Sequence, residues 1–336
     1  MRTLMRNGFA ALLVTGLLGS CSGDLSSSRP YILTTATTGG TYYPVGVALA
    51  TITKAQLFDT DGISLSAISS AGSMENIKLM RDNQAQFGIL QGIFAAWGWN
   101  GDGPISRPQP WLRSICALWY NAEHFVLLKE LAGDGTIAAI DALDGERFVL
   151  GARNSGAEQS GNHILESLEI DYADKVSLAY MGYGATANAI QDGTIVGMNI
   201  PAGVPVTAIT RAFAVSGDEI QLLSFSDAQL ADVNVKYPLW DRYLIPAGTY
   251  PNQPDDVQSI AHPNVLAVRS DISDEAVYKI TKAIFENLAA LREIHKATRE
   301  VTLERALNGL GAPLHPGAMR YYREQGIDIP DRLVPP

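Results

Sequence analysis

The sequence lacks the short motifs that identify many enzymes. It contains no Gly-x-Ser-x-Gly and no glycine–lysine pair, which excludes a nucleophile elbow and a P-loop. Its five histidines (124, 163, 262, 295 and 315) do not have the spacing of metal ligands. Gly182 opens a G-x-G-x-x-A pattern, but the acidic residue that a dinucleotide fingerprint needs is missing, so close strand–helix packing explains these glycines better. We therefore expect a protein that is not an enzyme and binds no cofactor and no metal.

Basic residues are also scarce. The chain has 25 Lys and Arg against 35 Asp and Glu, a formal net charge of −10, and no basic cluster. This balance argues against nucleic acid as a partner, because phosphate contacts need clustered cations. With 46% hydrophobic and 18% charged residues over 336 positions, the composition is typical of a globular protein with room for two cored domains.

The N-terminus has the pattern of an exported lipoprotein. Two arginines precede an apolar run at 9–18, which is too short to span a bilayer but right for a signal peptide. The run ends in Leu-Gly-Ser and Cys21, which resembles the lipobox whose cysteine is lipidated and becomes the new first residue. We expect a signal peptide over 1–20, a lipid anchor at Cys21, a flexible tether over 21–30 and a periplasmic location. Ordinary secretory cleavage nearby is the alternative.

Cysteine is otherwise limited to Cys116. With Cys21 used as an anchor, Cys116 has no partner for an internal disulfide. It lies in the apolar run 112–119, and no partner base is evident in the sequence. We expect a buried small hydrophobe.

One unit recurs along the chain: an apolar strand, a Gly/Ser-rich turn and a helix. The strands are expected at 31–35, 63–68, 87–90, 147–151 and 198–200. Such alternation predicts parallel sheets with ligands at the carboxyl ends of the strands. Ser73 is expected to cap the helix after the second strand.

The last third is expected to contain a short strand at 265–268 and two helices. A long helix from Ser273 would bury one apolar face, formed by Val277, Ile280, Ile284, Leu288, Leu291 and Ile294. A final capped helix would begin near His315.

The stretch TTATTGGTYYPVG, residues 34–46, joins the first strand to an apolar helix. Pro44 suits the first turn of that helix, where a missing N–H costs nothing. Gly39 and Gly40 would let the backbone turn tightly and leave free N–H groups at a helix N-terminus, which is a ready anion site. The alternative is that the two glycines serve only as a turn.

Five segments in order carry a family resemblance. They are SSAGSMENIKLM (69–80), GARNSGAEQSGN (151–162), PAGVP (201–205), YPNQPDDV (250–257) and LHPGAMRYYREQG (314–326). Together they resemble the TAXI family, the extracytoplasmic solute receptors of TRAP transporters, from about residue 31 to 326.

The resemblance implies an α/β, type II periplasmic-binding-protein fold, in which two lobes with mostly parallel sheets close by a hinge motion. Lobe 1 would comprise 31–127 plus 265–336, and lobe 2 would comprise 128–264. The ligand would be a small organic acid such as glutamate or 2-oxoglutarate. Its partners would be the permease subunits of a TRAP transporter in the membrane.

The resemblance also assigns ligand-binding residues. In lobe 1 they are Gly40, Thr41, Tyr42, Ser70, Gly72, Ser73 and Gln91, and in lobe 2 they are Asn154, Ser155, Gly156, Ala157, Gly203 and Val204. The family pattern Gly-Ser-Gly-Thr is replaced here by Asn-Ser-Gly-Ala at 154–157. The neighbouring Arg153 and Glu158 are either ligand contacts or solvated loop charges.

Elementary physics agrees with such a site. Helix N-termini aimed into one cleft would hold a carboxylate with backbone donors. We expect the hydroxyls of Thr41, Ser73 and Ser155 to add donors, with Arg153 as a helper at best, and Tyr42 to cover the ligand's apolar stem. Two other functions use the same cleft: a periplasmic sensor that feeds a signalling partner, and an enzyme on this fold, for which no nucleophile–base pair can be named.

Overall fold

The computed structural model describes residues 30–336, so the expected signal peptide, Cys21 and residues 21–29 of the tether lie outside the described residues. The strands are β1 (Tyr31–Thr34), β2 (Leu65–Ile68), β3 (Phe87–Gln91), β4 (Leu112–Ala122), β5 (Phe125–Leu128), β6 (Arg147–Gly151), β7 (Ser177–Tyr180), β8 (Gly197–Asn199), β9 (Ile220–Leu222), β10 (Asp241–Ile245) and β11 (Val257–Arg269). The helices are α1 (Tyr42–Asp61), α2 (Ser73–Arg81), α3 (Gly92–Asn100), α4 (Gly156–Ser167), α5 (Tyr183–Gln191), α6 (Thr207–Ser216), α7 (Asp227–Val233), α8 (Asp274–Glu286), α9 (Leu288–Ile294) and α10 (Pro316–Glu324). Within 30–336, no helix combines the length and the apolar character needed to cross a membrane.

Lobe 1 is built on a six-stranded sheet in the order β10-β11-β3-β1-β2, with β4 on the other edge of β11. Strand β1 pairs in parallel with β2 and β3, as the repeated strand–turn–helix units predict. Strand β11 runs antiparallel to β3, β4 and β10. Strand β11 spans Val257–Arg269, so it is much longer than the strand expected at 265–268.

Lobe 2 is built on a five-stranded sheet in the order β7-β6-β8-β5-β9. Strand β6 pairs in parallel with β7 and β8, whereas β5 runs antiparallel to β8 and β9. The two-lobed α/β fold is confirmed, but both sheets are mixed rather than mostly parallel. The antiparallel strands are those near the points where the chain passes between lobes, which local sequence patterns do not reveal.

The chain passes from lobe 1 to lobe 2 between β4 and β5, through Glu123 and His124. The chain joins the six-stranded sheet again at β10 and then runs along β11 into lobe 1. The Ile260 carbonyl of β11 accepts a hydrogen bond from the Glu123 N–H. The expected boundaries at 127 and 264 fall inside β5 and β11, respectively.

The helices bury most of the faces that the sequence predicts, with two corrections: Ile294 of the expected apolar face is 51% exposed, and the helix expected to carry that face is broken. Val45 and Leu49 of α1 are fully buried, and so is Cys116 of β4, whose burial raises the pKa of its thiol to about 12. The long helix expected from Ser273 is instead broken at Asn287 into α8 and α9. The Asn287 side chain donates to the Ala283 carbonyl, the acceptor that a continuous helix needs for its own backbone.

Candidate ligand-binding cleft

A small cavity lies between the lobes, where helices from both sheets begin. Its volume is about 30 Å³, space on the scale of a few water molecules. Its wall consists of Ala36, Thr37, Gly40, Thr41, Tyr42, Ala71, Gly72, Ser73, Gln91 and Asn121 from lobe 1, and of Ala152, Ser155, Gly156, Ala157, Gly182, Tyr183, Pro201 and Ala202 from lobe 2. The lobes are closed on each other around it.

Most of the residues expected at the site line this cavity. They are Gly40, Thr41, Tyr42, Gly72, Ser73, Gln91, Ser155, Gly156 and Ala157. They come from four separate stretches of sequence, and the carboxyl ends of β1, β2, β3 and β6 bring them together.

The other expected residues, Ser70, Arg153, Asn154, Glu158, Gly203 and Val204, do not line the cavity. Ser70 braces the loop after β2, since its hydroxyl donates to the Thr35 carbonyl at 3.0 Å. Gly203 acts through its carbonyl, which accepts a hydrogen bond from the Thr41 hydroxyl at 3.2 Å. That bond joins the two lobes across the cleft.

Arg153 points away from the cavity. Its guanidinium lies 4.0 Å from the centroid of the Tyr180 ring, and the residue lines an outer groove beside the cleft. Glu158 is buried, and its carboxylate accepts the Asn154 N–H at 2.5 Å. Glu158 is therefore neither a ligand contact nor a solvated charge. Its carboxylate holds the loop that precedes α4 through the Asn154 N–H.

Helix N-termini of both lobes line the cleft: those of α1 and α5 face each other, as do those of α2 and α4, and Gln91 of the wall is the N-cap of α3. Glycines allow the close approach. A Cβ at Gly39, just before α1, would lie 2.8 Å from the Gly184 nitrogen in α5. A Cβ at Gly156, the first residue of α4, would lie 2.8 Å from the Ser73 hydroxyl at the start of α2. Side chains at these positions would hold the lobes apart.

The three expected hydroxyls are all engaged by the protein. Ser155 caps α4, because its oxygen accepts the Glu158 N–H at 3.0 Å. Ser73 is the first residue of α2 rather than its cap, which is Gly72, and its oxygen accepts the Gln91 N–H at 3.0 Å. The hydroxyl therefore ties α2 to the end of β3 instead of capping its own helix.

Tyr42 and Tyr183 form the aromatic part of the wall. The Tyr42 ring packs edge-on against Trp119, with centroids 5.7 Å apart, and its hydroxyl donates to Asn264. The Tyr183 hydroxyl donates to the Pro201 carbonyl at 2.8 Å. Burial raises the pKa of both phenols well above the usual range, and the nearby Glu123 adds to the effect. Both side chains are neutral donors already directed to protein acceptors.

Neutral groups dominate the electrostatics of the cleft. Among the described residues of the wall there is no lysine or arginine. The buried acid Glu123 acts on both tyrosines of the wall; burial raises its pKa to about 7, partly opposed by a hydrogen bond from Asn199. Within 30–336, no three His, Cys, Asp or Glu side chains are grouped to hold a metal. The arrangement would hold a small polar molecule with backbone and amide groups.

Sequence reasoning missed Gly182, Tyr183 and Asn121. The pattern that begins at Gly182 did mark the site, but the explanation by strand–helix packing is wrong. A Cβ at Gly182 would meet Thr37 of lobe 1 at 3.1 Å, whereas one at Gly184 would meet nothing within 4 Å. These glycines lie where the other lobe approaches. Asn121 is hidden in the apolar run of β4, where no local signal distinguishes it.

Known structures share this two-lobed architecture. MatC from Rhodopseudomonas palustris aligns with a TM-score of 0.55 at 11% identity, over 88% of this chain and 97% of that one. The periplasmic binding protein BugD aligns with a TM-score of 0.51 at 12% identity, over 88% of this chain and 93% of that one. At such low identity, these matches show the fold: that of the two-lobed periplasmic binding proteins.

A sequence-family match extends over nearly all of both lobes. It covers residues 33–326, from within β1 to Gly326, two residues after the end of α10. This span is close to the one over which the five motif segments are distributed. It includes every residue of the cavity wall. The chain belongs to the NMT1-like family.

Proposed function

We propose that the protein is an extracytoplasmic solute receptor of the TAXI type, which captures a small organic acid between its lobes and delivers it to a TRAP-type permease. The observation that carries this proposal is the cavity enclosed by helix N-termini of both lobes. Backbone N–H groups at helix N-termini favour anions, so the cleft suits a carboxylate without needing a lysine or arginine. MatC, which shares the fold, was solved with bound malate.

The ligand would be glutamate, 2-oxoglutarate or a similar carboxylate, and it would be bound without turnover. The described part of the wall, within residues 30–336, contains serines but no histidine. A hydroxyl without an adjacent base is a weak nucleophile. This supports a receptor rather than an enzyme.

The receptor would act outside the cytoplasm. BugD, which shares the fold, is a periplasmic binding protein. We propose that the signal peptide over residues 1–20 exports the chain and that lipidation of Cys21 holds it at a membrane. In bacterial lipoproteins several acyl chains give lasting attachment, whereas one alone would be weak.

A thermal-shift screen on ligand-stripped protein tests the proposal. The protein would be unfolded, dialysed and refolded, then scanned with glutamate, 2-oxoglutarate, malate and related acids. A ligand at a hundredfold excess over its Kd should stabilise the fold by about 2.7 kcal/mol. At least one acid should raise Tm clearly while the corresponding uncharged amides do not. A screen without any hit among the acids would contradict the proposal.

A further inference from the structure

The two facing pairs of helix N-termini differ in charge. In the pair α2 and α4, each helix has an acid in its first turn: Glu75 accepts the Ala71 N–H at 2.6 Å, and Glu158 accepts the Asn154 N–H. In the pair α1 and α5, neither helix has an acid in its first turn or a side-chain cap. The positive ends of α1 and α5 are therefore uncompensated, as is that of α3, whose N-cap is Gln91, while those of α2 and α4 are offset by their own carboxylates.

Two buried amides, each with a polar atom that is unpaired among the described residues, also line the cavity. Gln91 is 3% exposed, lines the cavity, and its Oε1 has no hydrogen-bond partner among the described residues. A Cβ at Gly156 would lie 3.0 Å from this oxygen, which places it beside α2 and α4. A free acceptor there calls for a donor, since an unpaired buried polar atom is costly.

The second amide is Asn121, which is fully buried and lines the cavity, and its Nδ2 has no partner among residues 30–336. Its oxygen approaches Asn264, which pairs with Gln91 in the sheet and accepts the hydroxyl of Tyr42. The wall therefore offers a free donor as well as the free acceptor of Gln91.

We infer that the cleft binds a small carboxylic acid that also carries a hydrogen-bond donor, with its carboxylate between α1 and α5 and its hydroxyl or amino group on Gln91 between α2 and α4. This rests on the proposed function and narrows its ligand class. Acids without a donor leave the Gln91 oxygen unpaired, and a second carboxylate at that end would face Glu75 and Glu158. Gln91 is then a specificity-determining residue for the donor end, and Asn121 offers the ligand a further donor.

The test compares matched ligands on the stripped protein by calorimetric titration: malate with succinate, and glutamate with glutarate. The wild type should prefer the hydroxy acid about threefold or more and the amino acid about tenfold or more. The two pairs tell a hydroxyl from an ammonium as the preferred donor. In the Gln91→Met variant the ratio within each pair should fall towards one, because the loss is confined to the donor-bearing ligand.

A second variant makes the result independent of packing changes at Gln91. Glu158→Gln keeps an acceptor for the Asn154 N–H but removes the charge. It should raise the affinity of succinate relative to malate. Equal binding of donor-bearing and donor-free acids by the wild type would overturn the inference while leaving the receptor function standing. Unchanged ratios in both variants would overturn it as well, whereas an absence of binding by every acid would contradict the receptor function itself.

Discussion

At the scale of single residues, Thr41 contributes to closure more than to the ligand. Its hydroxyl proton is used by the Gly203 carbonyl of the other lobe. Thr41→Val keeps the shape and loses that bond, whose net value is about 0.5–1.5 kcal/mol. We expect ligand affinity to fall by about two- to tenfold.

Thr51→Val is the matched control. Its hydroxyl donates to the Val47 carbonyl within the same helix, α1, on the exposed side. Calorimetric titration of both variants with the identified ligand decides the matter, and equal affinities would show that the cross-cleft bond does not matter for closure.

Glu123 is the residue whose charge state should affect stability near neutral pH. Burial raises its pKa to about 7 from 4.5. The folded state therefore holds the proton more tightly, so this contribution to stability is fully present below pH 4.5 and is lost as the pH rises through about 7. Two buried histidines, His124 and His262, act in the opposite direction, because burial lowers the pKa of each to about 4.

The Glu123→Gln variant separates the effect of Glu123 on stability from that of the two histidines. The amide can still accept from Asn199, which donates to the carboxylate at 2.7 Å in the wild type. Relative to the wild type, the variant should gain unfolding free energy at pH 8 and little or none at pH 5, as read from urea midpoints. An equal change at both values would mean that Glu123 does not titrate in this range.

At the scale of elements, the helix N-termini position the site, and Gly156 sets how closely α4 approaches α2. In Gly156→Ala the added methyl would lie 2.8 Å from the Ser73 hydroxyl and 3.0 Å from Gln91 Oε1. Overpacking of this kind costs about 1–3 kcal/mol, which corresponds to an affinity loss of about five- to a hundredfold.

Gly161→Ala, in the same helix, provides the control. Its methyl would meet Leu150 inside lobe 2 at 2.9 Å, away from the cavity wall. It should lower Tm without lowering affinity, whereas Gly156→Ala should lower affinity. If both variants bind the ligand like the wild type, the lobes do not close as tightly as described.

The helices and strands also show which structural features the sequence predicts and why it does not predict others. Strand β6 matches its expected bounds, since β-branched and aromatic residues followed by glycine and an N-cap serine form a local signal. The break at Asn287 escaped because the apolar spacing continues through it. Asn121 and Tyr183 escaped because only the approach of the second lobe makes them part of a site. Arg153 was a candidate by its charge, but stacking on Tyr180 directs it outward.

At the scale of the whole molecule, two chain passages join the lobes and the cleft lies between them. The passages are the Glu123–His124 link and β11. A hydrogen bond from the Glu123 N–H to the Ile260 carbonyl joins them. Changes in the backbone angles of these two passages would rotate one lobe against the other. The lobes also contact each other at the glycines of the cleft, through the Thr41 bond, and through Trp97 of α3, whose ring packs edge-on against His163 of α4 and Tyr237.

Small-angle X-ray scattering of the ligand-stripped protein, with and without a saturating acid identified in the thermal-shift screen, tests the central claim most directly. The account predicts a smaller radius of gyration and a shorter maximum dimension on binding, because the lobes close on the ligand. Gly156→Ala should contract less at the same degree of saturation. Scattering that does not change while calorimetry shows full binding would contradict the closing-cleft account.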